Sequence, residues 1–505
     1  MKRNVCILSA FLILAAALGS CGETATAQPA GETQAVPGSE AVTEAETEEV
    51  VNLVSKDLGG RDFQILTKME GDPTRRWTAE DFAIEEADGD VIHDAIFNRN
   101  AILEEMFNCN IVNSFADIGN IFSYSMYKSI SKLIQAGDTT YDFMMPSIQD
   151  CAKLACDGML WDLTFYDSIH LDEPWWNQVF GDATRIGDKV FYADGDISLT
   201  FMRAAYAIFF NKQLILDYDL ENPYTLVTDK KWTIEKLAEM SRAASEDLNG
   251  NGYMDSDDKI GLLMLYNSTE AFYAASGVKL VTAEKDGTLT WTGGSERSIN
   301  VMNKIYDIYA GVDFSINCDD ATKMNAELKQ LGNVDRGASL FSGGHALYLF
   351  GTMNNVQAMR DMPTDFGILP LPMSDDGQKD YYSYVHTWSA SAASIPINVP
   401  DPETTAAFME AAAYYANKMI TPAYYDTALK TKYARDEESQ AMLDLIYETR
   451  WSDLGNIYNV GSVLSEMTTL INNKKNTFSS MIAKKESKIA DELATINDAF
   501  LNQNN

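Results

Sequence analysis

Asp62-Phe-Gln-Ile-Leu-Thr-Lys-Met69, followed at once by the turn-like Glu70-Gly-Asp-Pro73, opens the folded part of this 505-residue chain, and what comes after it decides the fold. The stretch reads as a buried strand. Asp94 to Phe107 then has helical spacing, with Ile96, Ile102, Leu103 and Met106 on one apolar side. Ile111 to Phe115 predicts a second strand, and Ile121 to Ala136 a helix ended by Gly137. Tyr141-Asp-Phe-Met-Met145 predicts a third strand stopped by Pro146, with a further helix over about Asp150 to Cys156. Strand alternating with helix predicts a parallel sheet with helices on both faces.

The rhythm resumes further on. Lys189 to Ala193 and Ala204 to Asn211 read as strands around the turn Asp194-Gly195-Asp196. Thr233 to Ser245 predicts a helix, Lys259 to Leu265 a strand, and Ser298 to Ala310 and Ala326 to Gln330 helices. Ala346 to Phe350, Phe366 to Leu369 and Ala392 to Ile397 read as strands returning to one sheet or the other. After Pro402 nearly all is helical, with Gly455 and Gly461 as breaks. The expectation is α/β: two lobes with mixed sheets, several chain crossings and a helical C-terminal region. A chain of this length exceeds one compact core, which agrees.

Upstream of the body, Lys2 and Arg3 precede an apolar run from Cys6 to Leu18. That run falls short of the about 20 residues a spanning helix needs. It ends in Leu18-Gly19-Ser20-Cys21, which resembles the lipobox of bacterial lipoproteins. Residues 1–20 are therefore expected to be a signal peptide, and Cys21 to carry a diacylglyceryl anchor holding the protein at the outer face of the membrane. Residues 21–57 read as an acidic disordered tether: from Gly22 to Leu53 there is no basic and no aromatic residue. Such a linker reaches on the order of 30 Å, at about 5–6 Å times the square root of its length. The body spans 58–505: lobe 1 about 58–195 plus a later return, lobe 2 about 200–340 plus the C-terminal helices.

A formal charge of −35, from 39 basic against 74 acidic residues, excludes a nucleic-acid partner, because a phosphate backbone would be repelled. Beyond Cys6 and Cys21 the cysteines are Cys109, Cys151, Cys156 and Cys318. They permit three pairings, but buried apolar thiols are the expected state. No Cys/His set has zinc spacing, and no G-x-S-x-G, H-E-x-x-H, P-loop or G-x-G-x-x-G occurs.

The sharpest local motif runs from Asp247 to Asp258. It follows the calcium-loop template, with oxygen ligands at alternate positions and Gly252 at the sixth. Asp247, Asn249 and Asn251 would give side-chain oxygens and Tyr253 a backbone carbonyl. Asp255 would bind directly or through water, and Asp258 would close the loop. An Asp stands where a Glu usually ends such a loop. The expected role of Ca2+ is structural. Aromatic groups beside polar turns form a second set: Trp77 after Arg76, Trp175-Trp176-Asn177-Gln178, and Trp388. Sugar rings stack on aromatic planes while their hydroxyls need polar partners, so the set points toward carbohydrate.

These residues sit within a wider resemblance. Gly89-Asp-Val-Ile-His-Asp-Ala-Ile-Phe-Asn-Arg-Asn100, Tyr141-Asp142-Phe143, Pro174-Trp-Trp-Asn177, Ile186 to Ala193 with Gly195-Asp-Ile-Ser198, Phe209-Phe-Asn-Lys212, Phe341-Ser-Gly-Gly-His-Ala-Leu347 and Phe366-Gly-Ile-Leu-Pro370 carry it. From about Asp62 to Ala416 the chain resembles the family 1 extracellular solute-binding proteins of ABC transporters, which include maltose- and oligosaccharide-binding lipoproteins. It departs at Leu347-Tyr-Leu349, where the family commonly has a Met.

The resemblance implies a two-lobed fold of the periplasmic-binding type (type II), closing on a solute by a hinge. The implied protein is a monomer that delivers to a permease. It also implies a cleft lined by Asp72, Arg76, Trp77, Ser147, Trp175, Trp176, Thr352 and Trp388, with Asp194 and Asp196 near a lobe crossing. Open α/β sheets bind ligands beyond the carboxyl ends of their strands, which suits that placement. The expectation is a binding module and no enzyme. A lipid-anchored glycan hydrolase is the rival class, and a peptide-binding or sensory receptor shares the fold.

Overall fold

The computed structural model describes residues 52–69, 77–117, 123–310, 313–359, 362–425 and 437–501. The signal segment, Cys21 and most of the tether lie outside the described residues, as do Asp72 and Arg76. β1 (Arg61–Met69) runs parallel between β2 (Cys109–Asp117) and β3 (Phe143–Met145). Phe63 and Ile65 point into the core, and Phe63 stacks on Phe408 of the late helix Pro402–Tyr415 at 4.1 Å. The helix Val91–Phe107 starts at Asp90, whose carboxylate accepts from the N–H groups of Ile92 and His93 and so satisfies two donors the first turn leaves open.

Arg99 of that helix is fully buried. Its guanidinium lies over the Phe82 ring at 4.2 Å and donates to Asn100 Oδ1, to the Ala412 carbonyl and to the Asp81 carbonyl. One cation thus ties together three separate stretches of the first lobe. Loss of hydration pulls its pKa down to about 10, still charged at neutral pH.

The second lobe is built on a mixed sheet. β4 (Tyr206–Asn211), β5 (Ile260–Met264), β8 (Ser315–Asn317), β9 (Ala346–Thr352) and β10 (Phe366–Leu369) lie in the order β10-β4-β9-β5-β8, while β6 (Val281–Ala283) and β7 (Leu289–Trp291) form a separate hairpin. β5 is parallel to β8 and β9, and β4 is antiparallel to β9 and β10. Every residue of β4, β5, β9 and β10 is buried, as continuous apolar runs covered on both faces require. β11 (Ser383–Tyr384) pairs with β12 (Arg450–Trp451), bringing the C-terminal helices back to this lobe.

Among the described residues the chain passes between the lobes at about 193–205 and 385–391. These passes explain where the sequence reading went astray. Lys189 to Ala193 and Ala392 to Ile397 are extended but not strands of a sheet. They meet through the isolated bridge of Ala193 with Ala393, while Pro396 bridges Leu160 outside both stretches, because they are the ends of crossings. Ala326 to Gln330 shrinks to a single 3-10 turn, Leu328–Gln330. Gly461 is a true break at φ +61°, whereas Gly455 lies inside the helix Leu454–Ile457.

Cys109, Cys151, Cys156 and Cys318 carry thiols and form no disulfide. Among the described residues no helix is long and apolar enough to cross a membrane.

Candidate functional site

Strand direction dictates which edge of the second sheet faces the crossings. β9 ends at Thr352 opposite the start of β4 at Tyr206, and β5 ends on the same edge. Met353 N–H donates to the Ala205 carbonyl and His386 N–H to the Ala204 carbonyl, so two chain passes enter at that edge. Just beyond β5 stand Tyr266, Asn267 and Glu270, the last in the first turn of the helix Ser268–Ala275. Tyr266 is 45% exposed and its N–H donates to Asp319 Oδ2 at 2.6 Å. Asn267 Nδ2 donates to the Tyr206 hydroxyl at 2.5 Å. The Tyr206 ring lies parallel to Tyr384 at 5.6 Å and nearly parallel to Phe350 at 4.8 Å, giving an aromatic wall.

The first lobe meets this edge with the loop after β3. Ser147 caps the helix Ile148–Cys156: its hydroxyl is 2.7 Å from Asp150 Oδ2 and accepts from the Asp150 N–H. Gln149 Nε2 donates to Thr387 Oγ1 and to the Asn456 carbonyl, and Asn456 Nδ2 donates to the Tyr384 hydroxyl. Trp388 is half-buried, 4.6 Å from the Tyr124 ring and edge-on to it. Lys68, at the end of β1, donates to the carbonyls of Trp388 and Ser389. A belt of aromatic and amide groups therefore runs from Trp388, Tyr124 and Gln149 to Tyr384, Tyr206 and Asn267; Gln149, Tyr384 and Tyr206 are at most 2% exposed, and Trp388, Tyr124 and Asn267 are partly open. His386 stands edge-on to Tyr206 at 6.1 Å, and burial pulls its pKa down to about 4, which keeps it neutral at pH 7.

Glu270 was invisible as one acid among many. Its residue type and position carry no motif, and only the tertiary fold brings its charge near enough to the Tyr206 and Tyr384 hydroxyls to raise their pKa values. Desolvation pushes its carboxyl up to about 7.

The tryptophan pair has another task. Trp175 and Trp176 are each 3% exposed, which leaves no open ring face for a ligand. Their indole N–H groups donate to Glu410 Oε1 at 3.1 Å and Oε2 at 2.9 Å, and His170 Nδ1 lies 3.1 Å from Oε1. Burial raises the Glu410 pKa, and the Trp176 and His170 hydrogen bonds oppose that rise. The pair is a clasp between the segment 170–178 and the helix Pro402–Tyr415.

Asp194 and Asp196 are likewise interior. Gly195 N–H donates to Asp194 Oδ1 at 3.0 Å, and burial drives the Asp194 carboxyl well above the usual carboxylate range. Asp196 accepts from Asn417 Nδ2 at 2.6 Å and from the Tyr447 hydroxyl. Both carboxylates brace the crossing and do not face the belt. Ser147 and Thr352 stand at the ends of their strands as expected, but their hydroxyls are spent locally, Thr352 on Asn355 Oδ1 at 3.0 Å. Trp77 is half-buried and packed on the core. Of the residues expected to line the cleft, Trp388 keeps a place in the belt.

The loop from Asp247 to Asp258 forms as a closed turn, with Gly250 at φ +71° and Gly252 at φ +83°. Its carboxylates are turned onto its own backbone: Asp247 accepts from Gly250 and Gly252, and Asp258 from Leu248 and Asp255. Asn249 and Asn251 direct their amide nitrogens at Asp255, and the Tyr253 side chain is exposed. Among the described residues no three Asp, Glu, His or Cys side chains converge as a metal cage.

Residues 120–419 match the family described as bacterial extracellular solute-binding protein. No curated protein matches the chain in sequence. Solved structures share the fold at low identity. The substrate-binding protein Lmo0181 from Listeria monocytogenes, in complex with cycloalternan, is 12% identical over 88% of this chain and 100% of its own, with a TM-score of 0.52. The cyclic α-maltosyl-1,6-maltose-binding protein from Arthrobacter globiformis is 13% identical over 86% and 99%, with a TM-score of 0.54. A solute-binding protein from Thermotoga lettingae, bound with α-D-tagatose, is 14% identical over 86% and 100%, with a TM-score of 0.51.

Proposed function

We propose, from the premise that this chain belongs to the family of bacterial extracellular solute-binding proteins, that it captures a carbohydrate between its two lobes and hands it to an ABC transporter permease. The observation that carries this reading is the family match over residues 120–419, joined by partly open aromatic and amide groups: Tyr266 and Asn267 at the edge of the second sheet, and Trp388 against Tyr124. A sugar needs both kinds of partner. The carbohydrates named for the fold relatives support the same class.

Solute touching both lobes stabilises the closed arrangement over the open one, and the permease reads that arrangement. No covalent bond is made or broken. A thermal-shift screen against mono- and oligosaccharides tests the reading, because a bound solute raises the melting temperature by mass action. A panel without a single shift, or turnover of a labelled oligosaccharide, would sink it.

The protein is held at the outer face of the membrane by a lipid on Cys21, which the sequence Leu18-Gly19-Ser20-Cys21 supports. Cys21→Ala should move the protein from the membrane fraction to the soluble one; retention at the membrane speaks against the anchor. A calcium ion at Asp247 to Asp258 would staple the loop, which requires Asp247, Asp255 and Asp258 to turn from backbone N–H groups to the ion. EGTA should then lower the melting temperature, and restored calcium should raise it again. An unchanged melt in both solutions removes calcium from the account.

A further inference from the structure

Arg450 opens β12, the short strand that brings the C-terminal helices back to the second lobe, and it is 2% exposed. Its guanidinium lies over two rings, 4.0 Å from the Tyr447 centroid and 4.6 Å from that of Phe201, and Nε donates to the Tyr447 carbonyl at 2.8 Å. Nη1 is buried and has no hydrogen-bond partner among the described residues, and no carboxylate there forms an ion pair with the guanidinium. The acids in its field are Asp194 and Asp196. Asp196 accepts from Asn417 and from the Tyr447 hydroxyl. Asp194 accepts from Gly195 through Oδ1, and its buried Oδ2 makes no hydrogen bond. Burial raises both carboxyls, which favours their neutral forms and leaves the charge of Arg450 unanswered.

The same side chain lines a small pocket, partly open to solvent, at the edge of the second sheet. Ala205 at the end of the first crossing and Met353 just after β9 share that pocket with Leu443, Tyr424 and Tyr425. Apart from the phenol hydroxyls and the guanidinium, its side chains are apolar, and such surroundings strengthen any charge pairing made inside them. A water molecule would meet the Nη1 donor and leave the charge unpaired. A carboxylate does both, and its two oxygens match the edge of a guanidinium. We infer that Arg450 anchors a carboxylate in this pocket. In the fuller form, which rests on the carbohydrate reading, the carboxylate belongs to an acidic sugar such as a uronate. Without that reading it belongs to a small free organic acid.

Titration calorimetry on the mature protein tests the inference with four probes: galacturonate oligomers, their methyl esters, neutral galacto-oligomers and acetate. In the parent the acids should bind about tenfold or more tighter than the esters, and acetate should compete with them. Arg450→Met, which keeps an apolar filling against the two rings, should collapse the acid-to-ester ratio to about one and abolish acetate binding. If it does not fold, Arg450→Lys, which keeps the charge and loses the fork, is measured the same way, and the acetate competition in the parent needs no variant. Equal affinity for acid and ester, or a preference that survives loss of Arg450, overturns the inference and leaves the carbohydrate reading standing. Acetate binding that depends on Arg450, with no sugar bound, supports the carboxylate site with a free acid as its ligand and counts against the carbohydrate reading. No binding by acetate or by the galacturonates overturns the inference, and the neutral oligomers then decide the carbohydrate reading alone.

Discussion

Glu410→Ala should destabilise the protein by about 3–5 kcal/mol, read as a fall in the urea midpoint. The estimate follows from what the substitution strands. Two indole N–H groups, on side chains 3% exposed, lose their acceptor together, and each such buried donor costs about 1–3 kcal/mol. The vacated side-chain volume adds a cavity penalty. Glu410→Gln keeps one carbonyl oxygen and should lie between alanine and the parent. Trp175→Ala and Trp176→Ala belong to the same cluster, so they should lower stability more than they alter solute affinity. An unchanged midpoint in Glu410→Ala would mean that the clasp is idle.

Gly195→Ala should cost about 3 kcal/mol or more, the upper part of the usual range for overpacking. A Cβ there would stand 2.2 Å from the Trp175 carbonyl oxygen and 2.9 Å from the Trp176 Cα. Both neighbours are backbone, and both are held: Trp176 bridges Gly195, and Asp196 N–H donates to the Trp175 carbonyl. No rotamer change relieves the clash, so the first crossing must shift as a whole. Lower melting temperature and poorer soluble yield are the expected result. A parent-like melt would show that the crossing is free to give.

Most of the scaffold was legible because periodic apolar runs carry it. Phe63 and Ile65 mark β1, and Phe366 to Leu369 mark β10 with their bounds intact. Segments that bridge lobes were harder to read. Lys189 to Ala193 and Ala392 to Ile397 have strand composition because they are buried and extended, yet sheet membership depends on what lies beside them. The site was less legible still. Trp175-Trp176 looked like a stacking platform because their acceptor sits 234 and 235 residues away, on a helix whose own sequence reads as ordinary core.

The four thiols, three buried and Cys156 partly so, carry a practical meaning. Desolvation pushes Cys109 up to about 11, and Cys156 and Cys318 up to about 12, with Cys151 raised further, so thiolate is scarce at every one of them. A protein of an extracellular family thus reaches its native state with no cross-links to form or reshuffle. Its refolding needs neither oxidant nor isomerase, and air or reductant should make no difference to the product. To alkylating reagents the described body should respond slowly, Cys156 being the least buried of the four, so a thiol installed at an exposed position such as Tyr266 should react first. A fluorophore there would sit just beyond the end of β5, at the sheet edge where the chain passes enter.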